Sequence, residues 1–334
     1  MYGVGRPRPL RAKQQVGLVV GLAAVVSLVV SGCEMSASAD PPTSSGASST
    51  TGANPSVTSN PGNSPAPTPT PTLVSTMTPP VVKGLVWKPQ GSKYNGVPVT
   101  YVARTDGGSV SLLWMDSSIL KYRFVPGYAV PEGSPSTSAD NKPSTWVPLA
   151  AAGFNGGFQL SDGRGGYYYK GSTVRGLQDG LGAFMITSDG TLKVGKWGRD
   201  LKKTADTVVV RQNLPLLVDN SKDVSQNNSG GWGVADGGVL NAHRTALGQL
   251  PDGALVFAFG SNVTPYELAQ AMVKVGAKNA MVLDMNKSWP TGFTYTHSGK
   301  KTNGARIHPD IWRDPSSYYE RFQKDFVMAQ LPSS

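Results

Sequence analysis

Residues 34–81 consist almost entirely of Ser, Thr, Pro, Gly, Ala and Asn, as in the stretch PGNSPAPTPTPTLVSTMTPP. A segment of this composition has too few apolar side chains to build a core, and it stays extended. We therefore expect residues 34–81 to form a disordered tether and residues 82–334 to form one folded domain. A domain of that length buries enough apolar surface to be stable without disulfides or bound metals.

The first 33 residues have the pattern of an export signal. Four basic residues precede an apolar run from Val16 to Val30, which is shorter than an ordinary membrane span. The run ends in VVSGC, which resembles the lipobox of bacterial lipoproteins, where the cysteine carries lipid. We predict lipidation at Cys33, with the exported protein held at the outer face of the cytoplasmic membrane. The alternative is an uncleaved N-terminal anchor.

The charge balance of the chain is consistent with an anionic partner. The formal net charge is +10, and four positive charges in residues 1–33 and two negative charges in the tether leave +8 for residues 82–334. This excess suits a sugar phosphate or an acidic envelope glycan, and it equally suits an ordinary basic surface. No dense basic run with interleaved aromatics occurs, so we predict no nucleic-acid partner. Cys33 is the only cysteine, which excludes an intramolecular disulfide.

Most of residues 82–334 have the composition of strands, rich in β-branched and aromatic residues and separated by Gly and Asp. Two Asp-Gly pairs between apolar runs, at Asp189 and Asp252, predict hairpins over residues 182–197 and 245–260. Further strands are predicted over residues 97–103, 110–115, 121–127, 208–210 and 280–285.

One helix is clearly indicated after the second hairpin. Thr264 with Glu267 forms a capping box around Pro265, and Gly276 ends the segment. Its predicted buried face consists of Leu268, Ala269, Met272 and Val275. Residues 221–238 predict a long polar loop, which is either disordered or functional. Many strands and few helices predict a single α+β domain around a largely antiparallel or mixed sheet.

Several common catalytic motifs are absent from the sequence. It contains no G-x-S-x-G elbow, no P-loop and no dinucleotide-binding glycine fingerprint. The three histidines, His243, His297 and His308, lack the spacing of zinc ligands. A divalent cation held by carboxylate and carbonyl oxygens stays open, since such sites leave weak local signatures. We predict no other cofactor.

Polar residues interrupt or end apolar strands at three places, in the segments AAGFNGGF, LNAHRTALG and LDMN. Each place has an ordinary structural explanation: a bulge or turn for the glycines, an ion pair for the arginine, a loop cap for the aspartate. The alternative is one shared functional site. The candidate residues are Asn155, Gly156, Gly157, Asn241, His243, Arg244, Thr245, Asp284 and Asn286.

The motifs AAGFNGGF, RTALG and AMVLDMN, in this order, resemble the phosphodiester glycosidase domain. The stretches RQNLPLLVDN and VGKWGRD are similar to the bacterial branch of that family, and the resemblance covers most of residues 97–330. The third motif departs from the family form, in which glycines and serines follow the aspartate. Here Met285 and Asn286 follow Asp284.

The resemblance implies hydrolysis of the bond between the anomeric carbon of a sugar and a phosphodiester. A carboxylate stabilises or attacks the oxocarbenium-like transition state of such a reaction, which is the role implied for Asp284. Arg244 would bind the phosphate through two N–H groups, and His243 would transfer a proton. The main-chain N–H groups of Gly156 and Gly157 would form an anion-binding nest. The remaining substrate-binding candidates are Asn155, Asn241, Thr245 and Asn286.

On this hypothesis, a valine at Gly157 abolishes turnover and leaves the fold largely intact. Two other functions stay open. The altered third motif is consistent with a lipoprotein that binds an anionic envelope glycan without cutting it. A glycosidase that acts on a non-phosphorylated envelope polysaccharide would use the same carboxylate chemistry.

Overall fold

The computed structural model describes residues 73–134, 137, 140–225, 230–234 and 238–333. Within these residues the protein is nearly all β, with one α-helix, α1 (Pro265–Lys274). Short 3-10 helices cover Pro143–Thr145, Val147–Leu149, Gly230–Trp232 and Pro315–Tyr318. The strands are β1 Lys88–Pro89, β2 Lys93–Tyr94, β3 Val97–Pro98, β4 Thr100–Arg104, β5 Val110–Met115, β6 Lys121–Val125, β7 Ala150–Asn155, β8 Tyr167–Tyr169, β9 Ser172–Arg175, β10 Gly182–Thr187, β11 Leu192–Lys196, β12 Thr207–Gln212, β13 Val218–Asp219, β14 Lys222–Asp223, β15 Ala242–Gln249, β16 Leu255–Val263, β17 Asn279–Met285, β18 Gly292–Ser298, β19 Lys301–Arg306 and β20 Phe326–Gln330.

Three sheets contain nearly all of these strands. The largest has eight strands in the order β1-β4-β5-β16-β15-β17-β13-β14. Two five-stranded sheets have the orders β11-β10-β12-β8-β9 and β19-β18-β7-β20-β6, and β2 pairs with β3 separately. All pairings between these strands are antiparallel. The predicted strand-rich, antiparallel domain with few helices is therefore confirmed, and the α+β class holds only broadly.

The eight-stranded sheet is covered on both faces, as the alternation along β5 shows. Leu113 and Met115 point into the core that the eight-stranded sheet shares with the two five-stranded sheets. Leu112 and Trp114 point to the opposite face, where they join the buried side chains of α1. Since successive strand residues face opposite sides, a fully apolar strand such as β5 belongs between two packed layers.

The predicted helix forms as its sequence indicates. The Thr264 hydroxyl accepts from the Glu267 main-chain N–H at 3.2 Å, and the Glu267 carboxylate accepts from the Thr264 N–H at 2.8 Å. The helix ends at Lys274, and Gly276, two residues later, has a φ of +88° that favours glycine. The four residues predicted to face the core are all buried, namely Leu268, Ala269, Met272 and Val275.

The two predicted hairpins are confirmed as β10–β11 and β15–β16. Their turns contain Gly190 and Gly253 with φ of +80° and +97°. The strand predicted over residues 110–115 forms with the same bounds, and those at 121–127, 208–210 and 280–285 shift by a few residues. The strand predicted over residues 97–103 is divided into β3, which pairs with β2, and β4, which pairs with β5.

The predicted polar loop over residues 221–238 is described only in part. It contains β14 and a turn that buries Trp232, whose indole N–H lies 3.3 Å from the Pro215 and Leu216 carbonyl oxygens. Residues 226–229 and 235–237 lie outside the described residues. So do the predicted signal, Cys33 and the tether up to residue 72.

Contacts with the domain begin before residue 82. The Ser75 hydroxyl donates to the Asp116 carboxylate at 2.5 Å, and the Trp87 indole N–H donates to the Pro80 carbonyl at 2.9 Å. From residue 73 onwards, no helix in the described ranges is long and apolar enough to cross a membrane.

Candidate functional site

The structure brings the three polar segments together where β7 and β17 end and β15 begins. The Asn155 side-chain amide donates to the Thr245 hydroxyl at 3.0 Å, and the Asp284 N–H donates to the same hydroxyl at 3.1 Å. Arg244 pairs with Met285 across β15 and β17. The register of β15 shifts on both sides of Arg244, and such bulges redirect side chains at functional sites.

A cleft of about 750 Å³ opens beside this junction. Of the predicted site residues, Asn241, His243, Asp284 and Asn286 line it. The lining also includes Phe158, Lys287, Trp289 and Lys324. Five predicted site residues do not line the cleft, namely Asn155, Gly156, Gly157, Arg244 and Thr245.

Asp284 presents a buried carboxylate to the cleft, with 2% of its side chain exposed. Its Oδ2 forms an ion pair with the Lys324 ammonium, and its Oδ1 accepts from the Met285 N–H at 2.7 Å and from the Asn286 amide at 3.3 Å. Burial raises the pKa of the Asp284 carboxyl, and the Lys324 charge opposes that rise. Lys324 is a functional candidate that the sequence analysis missed, because a lone lysine before a strand has no local signature.

A second buried ion pair lies next to the first along the chain. Arg211 Nε donates to Asp325 Oδ2 at 2.9 Å, and these side chains are 1% and 0% exposed. Arg211 Nη2 also donates to the Phe158 carbonyl at 2.7 Å, and the guanidinium lies 5.1 Å from the centre of the Tyr167 ring. Because Asp325 follows Lys324 directly, this pair fixes the backbone that carries the lysine of the cleft.

The glycines after Asn155 pack against this buried pair. The Gly156 N–H donates to the Asp325 carbonyl at 2.9 Å, and a Cβ on Gly156 would lie 2.4 Å from Asp325 Cγ. A Cβ on Gly157 would lie 2.5 Å from Asn213 Oδ1. The predicted anion nest is therefore corrected: the Gly156 N–H is already bonded, and both glycines are needed for close packing.

A valine at Gly157 is now expected to destabilise the fold as well as to reduce turnover. Overpacking of this kind costs roughly 1–3 kcal/mol. The free energy of unfolding, from urea denaturation, measures the effect. Gly176 is a matched control, because a Cβ there meets nothing within 4 Å and Gly176→Val should leave stability nearly unchanged. Equal unfolding midpoints for Gly157→Val and the parent would show that packing does not explain this glycine.

Arg244 is fully buried, and main-chain groups use most of its donors. Burial lowers the pKa of this guanidinium to about 10. The predicted phosphate contact is corrected, since no N–H group of Arg244 is free. The Arg244 guanidinium still lies behind the wall of the cleft, and its hydrogen bonds hold that wall in place. The five donated bonds go to Val263 O (3.1 Å), Trp232 O (3.0 Å), Met285 Sδ (3.1 Å), Gly233 O (2.9 Å) and Leu240 O (2.6 Å).

Asn155 and Thr245 form the buried frame of the site. Asn155 Oδ1 accepts from the Thr291 N–H at 3.1 Å, and its amide donates to the Gly156 carbonyl at 2.9 Å. Thr245 bonds on both sides, to Asn155 and to the Asp284 main chain. Both side chains are thus engaged within the protein, and the structure places neither where it would meet a sugar hydroxyl.

The remaining candidates line the cleft. His243 Nδ1 accepts from the Asn262 N–H at 3.2 Å, so a neutral imidazole has its proton on Nε2. The Asn241 amide donates to the Asn262 carbonyl at 3.1 Å. Asn286 Oδ1 accepts from the N–H groups of Ser288 and Trp289 at 2.7 Å each and so shapes the turn that ends the cleft. His243 is therefore the one predicted proton-transfer group at this cleft.

The sequence analysis allowed for a divalent cation at this site. In the described part of the chain, no three His, Cys, Asp or Glu side chains cluster as metal ligands. The carboxylate of Asp284 is instead held by an ammonium group. A test with added chelator during any assay of turnover answers this question directly.

Residues 149–285 match the family model described as phosphodiester glycosidase. No curated protein sequence matches the chain. One similar solved structure is the catalytic domain of zebrafish N-acetylglucosamine-1-phosphodiester alpha-N-acetylglucosaminidase, auto-inhibited by its pro-peptide. The two sequences are 18% identical, the match covers 76% of this chain and 89% of that chain, and the TM-score is 0.43. Another is a hypothetical protein from Synechocystis, with 13% identity, coverage of 76% and 64%, and a TM-score of 0.38.

Proposed function

Because residues 149–285 match the phosphodiester glycosidase family, which confirms the resemblance seen in the sequence, we propose that this protein hydrolyses a phosphodiester-linked sugar. The bond that breaks joins the anomeric carbon to the phosphate oxygen. One observation supports this most directly: Asp284, inside the matched segment, places a buried carboxylate at a cleft large enough for a sugar.

The chemistry of the cleft fits this reaction. Asp284 stabilises or attacks the positively charged anomeric carbon while the phosphate oxygen leaves with the bonding electron pair. Water supplies a hydroxyl to the carbon and a proton to the products, a free sugar and a phosphate monoester. The Nε2–H of His243 is available as a donor to the leaving group. Lys287, which is exposed on the cleft lining, supplies positive charge beside an anionic substrate, whereas Asp284 balances the charge of Lys324.

The proposal is tested by incubating the purified full-length chain with aryl sugar-phosphodiesters and with envelope glycans. Release of free sugar together with a phosphate monoester, followed by phosphorus NMR, supports the proposed hydrolase. Binding without release would indicate a glycan-binding lipoprotein. Release of sugar from non-phosphorylated polysaccharide alone would indicate an ordinary glycosidase. Either of these last two results contradicts the proposal.

The pH dependence of turnover is expected to follow the ionisation of Asp284, which the neighbouring Lys324 influences. If the ionised carboxylate is required, activity falls as the pH drops through the pKa of Asp284, which burial raises above that of an ordinary aspartate. Lys324→Met removes a charge that lowers this pKa, so the acid limb of kcat should move to higher pH. Lys287→Met, at the same cleft but exposed, is the control. An acid limb that stays in place in Lys324→Met would contradict the assignment.

We also propose that the protein is exported and held at the membrane by lipid on Cys33, which places the cleft near envelope glycans. The support is the VVSGC sequence after an apolar run. Cys33→Ser should move the protein from the membrane fraction to the soluble fraction when cells are fractionated. If the variant remains with the membrane, the run from Val16 to Val30 anchors the chain by itself.

A further inference from the structure

A second arginine, Arg313, does not itself line the cleft but contacts two residues that do, and it differs from Arg244 in its surroundings. Its guanidinium carbon lies 4.8 Å from the ring centre of Trp289, 4.6 Å from that of Trp312 and 5.1 Å from that of Phe322. Its Nε donates to the Ser288 carbonyl at 2.8 Å. Ser288 and Trp289 both line the cleft, so Arg313 is held at the cleft rim.

The outer nitrogens of Arg313 have no partner among the residues that the structure describes. Only its Nε forms a hydrogen bond there, and none of the ion pairs between described residues includes it. The rings and the Nε bond nevertheless fix the plane of the guanidinium. A guanidinium held in this way presents two parallel N–H groups, which is the geometry that binds a phosphate in a bidentate manner.

The charges nearby favour an anion at the same place. The Lys324 ammonium lies 5.4 Å from the ring centre of Trp289, on the ring that Arg313 also contacts. Lys287 is exposed on the cleft lining. Asp284 balances the charge of Lys324, so Lys287 and Arg313 are the positive groups that would attract an anionic substrate at the cleft and its rim.

Trp312 adds an aromatic surface beside this charge. It is 60% exposed, more than any other tryptophan in the described ranges. An indole offers a large, rigid, apolar face, and the C–H face of a sugar ring packs against such a face. The Arg313 guanidinium carbon lies 4.6 Å from the Trp312 ring centre, so a sugar on the tryptophan would lie next to a phosphate on the arginine.

We propose that Trp312 and Arg313 form a subsite at the cleft rim that binds the next sugar and phosphate of a phosphodiester-linked glycan. This inference rests on the proposed function for the chemistry of the cleft, and it adds that the substrate is a polymer rather than a single sugar phosphodiester. Both residues lie outside the segment 149–285 that matches the family. The subsite is therefore proposed from contacts in this structure and not from the family match.

The test compares oligomers with monomers in the Asp284→Asn background, where turnover does not interfere with binding. The probes are four-unit oligomers of glucosyl phosphate and of N-acetylglucosaminyl phosphate, and the corresponding methyl sugar-phosphodiesters, each titrated by calorimetry. At least one oligomer should bind more tightly than its monomer. Arg313→Gln should weaken oligomer binding by about ten- to a hundredfold, as expected for lost hydrogen bonds to a charged group.

Two further variants keep the test independent of folding. Trp312→Ala changes an exposed side chain, and it should weaken oligomer binding while monomer binding stays within twofold of the background protein. Arg313→Lys keeps the charge but loses the planar fork, so it should recover only part of the affinity. Lys203→Gln is the matched control, because Lys203 lies 4.8 Å from the Tyr168 ring centre and neither residue lines the cleft.

The possible results separate the subsite from the hydrolase. Oligomer binding that is unchanged in Trp312→Ala and Arg313→Gln overturns the subsite, even if the parent chain hydrolyses the monomers. Failure of the background protein to bind either oligomer overturns it as well. Loss of oligomer binding in both variants, in a chain whose parent releases no sugar, would support the subsite and contradict the hydrolase.

Discussion

The Asp284→Asn variant should release sugar from a phosphodiester substrate roughly 10²–10⁴ times more slowly than the parent, which is the usual effect of losing a positioned catalytic group. Asparagine keeps the size of the side chain but cannot carry the negative charge that faces the anomeric carbon. The expected loss is in kcat and in kcat/KM together, because the charge matters most in the transition state. Steady-state kinetics on an aryl sugar-phosphodiester measure both.

The control for this variant is Asp106→Asn, which removes a carboxylate from an exposed pair with Lys274 at 3.0 Å, away from the cleft. It should leave kcat unchanged. Asparagine at Asp284 also leaves the Lys324 charge without its partner, so thermal unfolding must show that the variant is folded at the assay temperature. A folded Asp284→Asn protein that keeps more than a tenth of the parent kcat would exclude Asp284 as the catalytic carboxylate.

Local sequence patterns predicted the hairpin turns and the helix cap, because a few consecutive residues determine these features. The Asp189-Gly190 turn requires a positive φ that glycine supplies, and the capping box of Thr264 with Glu267 satisfies helix N–H groups within one turn. Both features are complete within a few residues, so the sequence alone contains them. The order of strands does not have this property: β5 lies beside β16, which follows it by well over a hundred residues.

The roles of the charged residues depended on contacts that no local pattern contains. Arg244 has all its donors bonded because acceptors from separate parts of the chain surround it, namely the carbonyl groups of Trp232, Gly233, Leu240 and Val263 and the sulfur of Met285. Among the described residues, the outer nitrogens of Arg313 have no partner because aromatic rings flank the guanidinium and only its Nε meets a carbonyl. That the three motifs meet at one junction was expected from the family resemblance, because the strand order that brings them together has no local signature. Which of their side chains reach the cleft was not expected, since alternation and bulges along β15 decide it.

The largest loss of stability is expected for Asp325→Asn, which leaves Arg211 charged, buried and without its carboxylate partner. Breaking one side of a buried ion pair costs roughly 3–5 kcal/mol, since the remaining charge keeps its desolvation penalty. The measurement is the free energy of unfolding from urea denaturation at constant pH. An exposed pair supplies the comparison: Lys274→Gln, which removes the partner of Asp106, should cost at most about 1 kcal/mol.

A double variant distinguishes the effect of an unpaired buried charge on stability from the effect of lost packing contacts. Arg211→Met with Asp325→Leu removes both charges and retains apolar volume, and such replacements are often neutral or stabilising. The double variant should therefore be more stable than Asp325→Asn, although Gly156 limits the room at Asp325. Equal stability of the two variants would show that packing, not charge, dominates at this site. If the charge dominates, the Arg211–Asp325 pair holds Lys324 in place, and turnover at low urea should fall before the whole domain unfolds in Asp325→Asn.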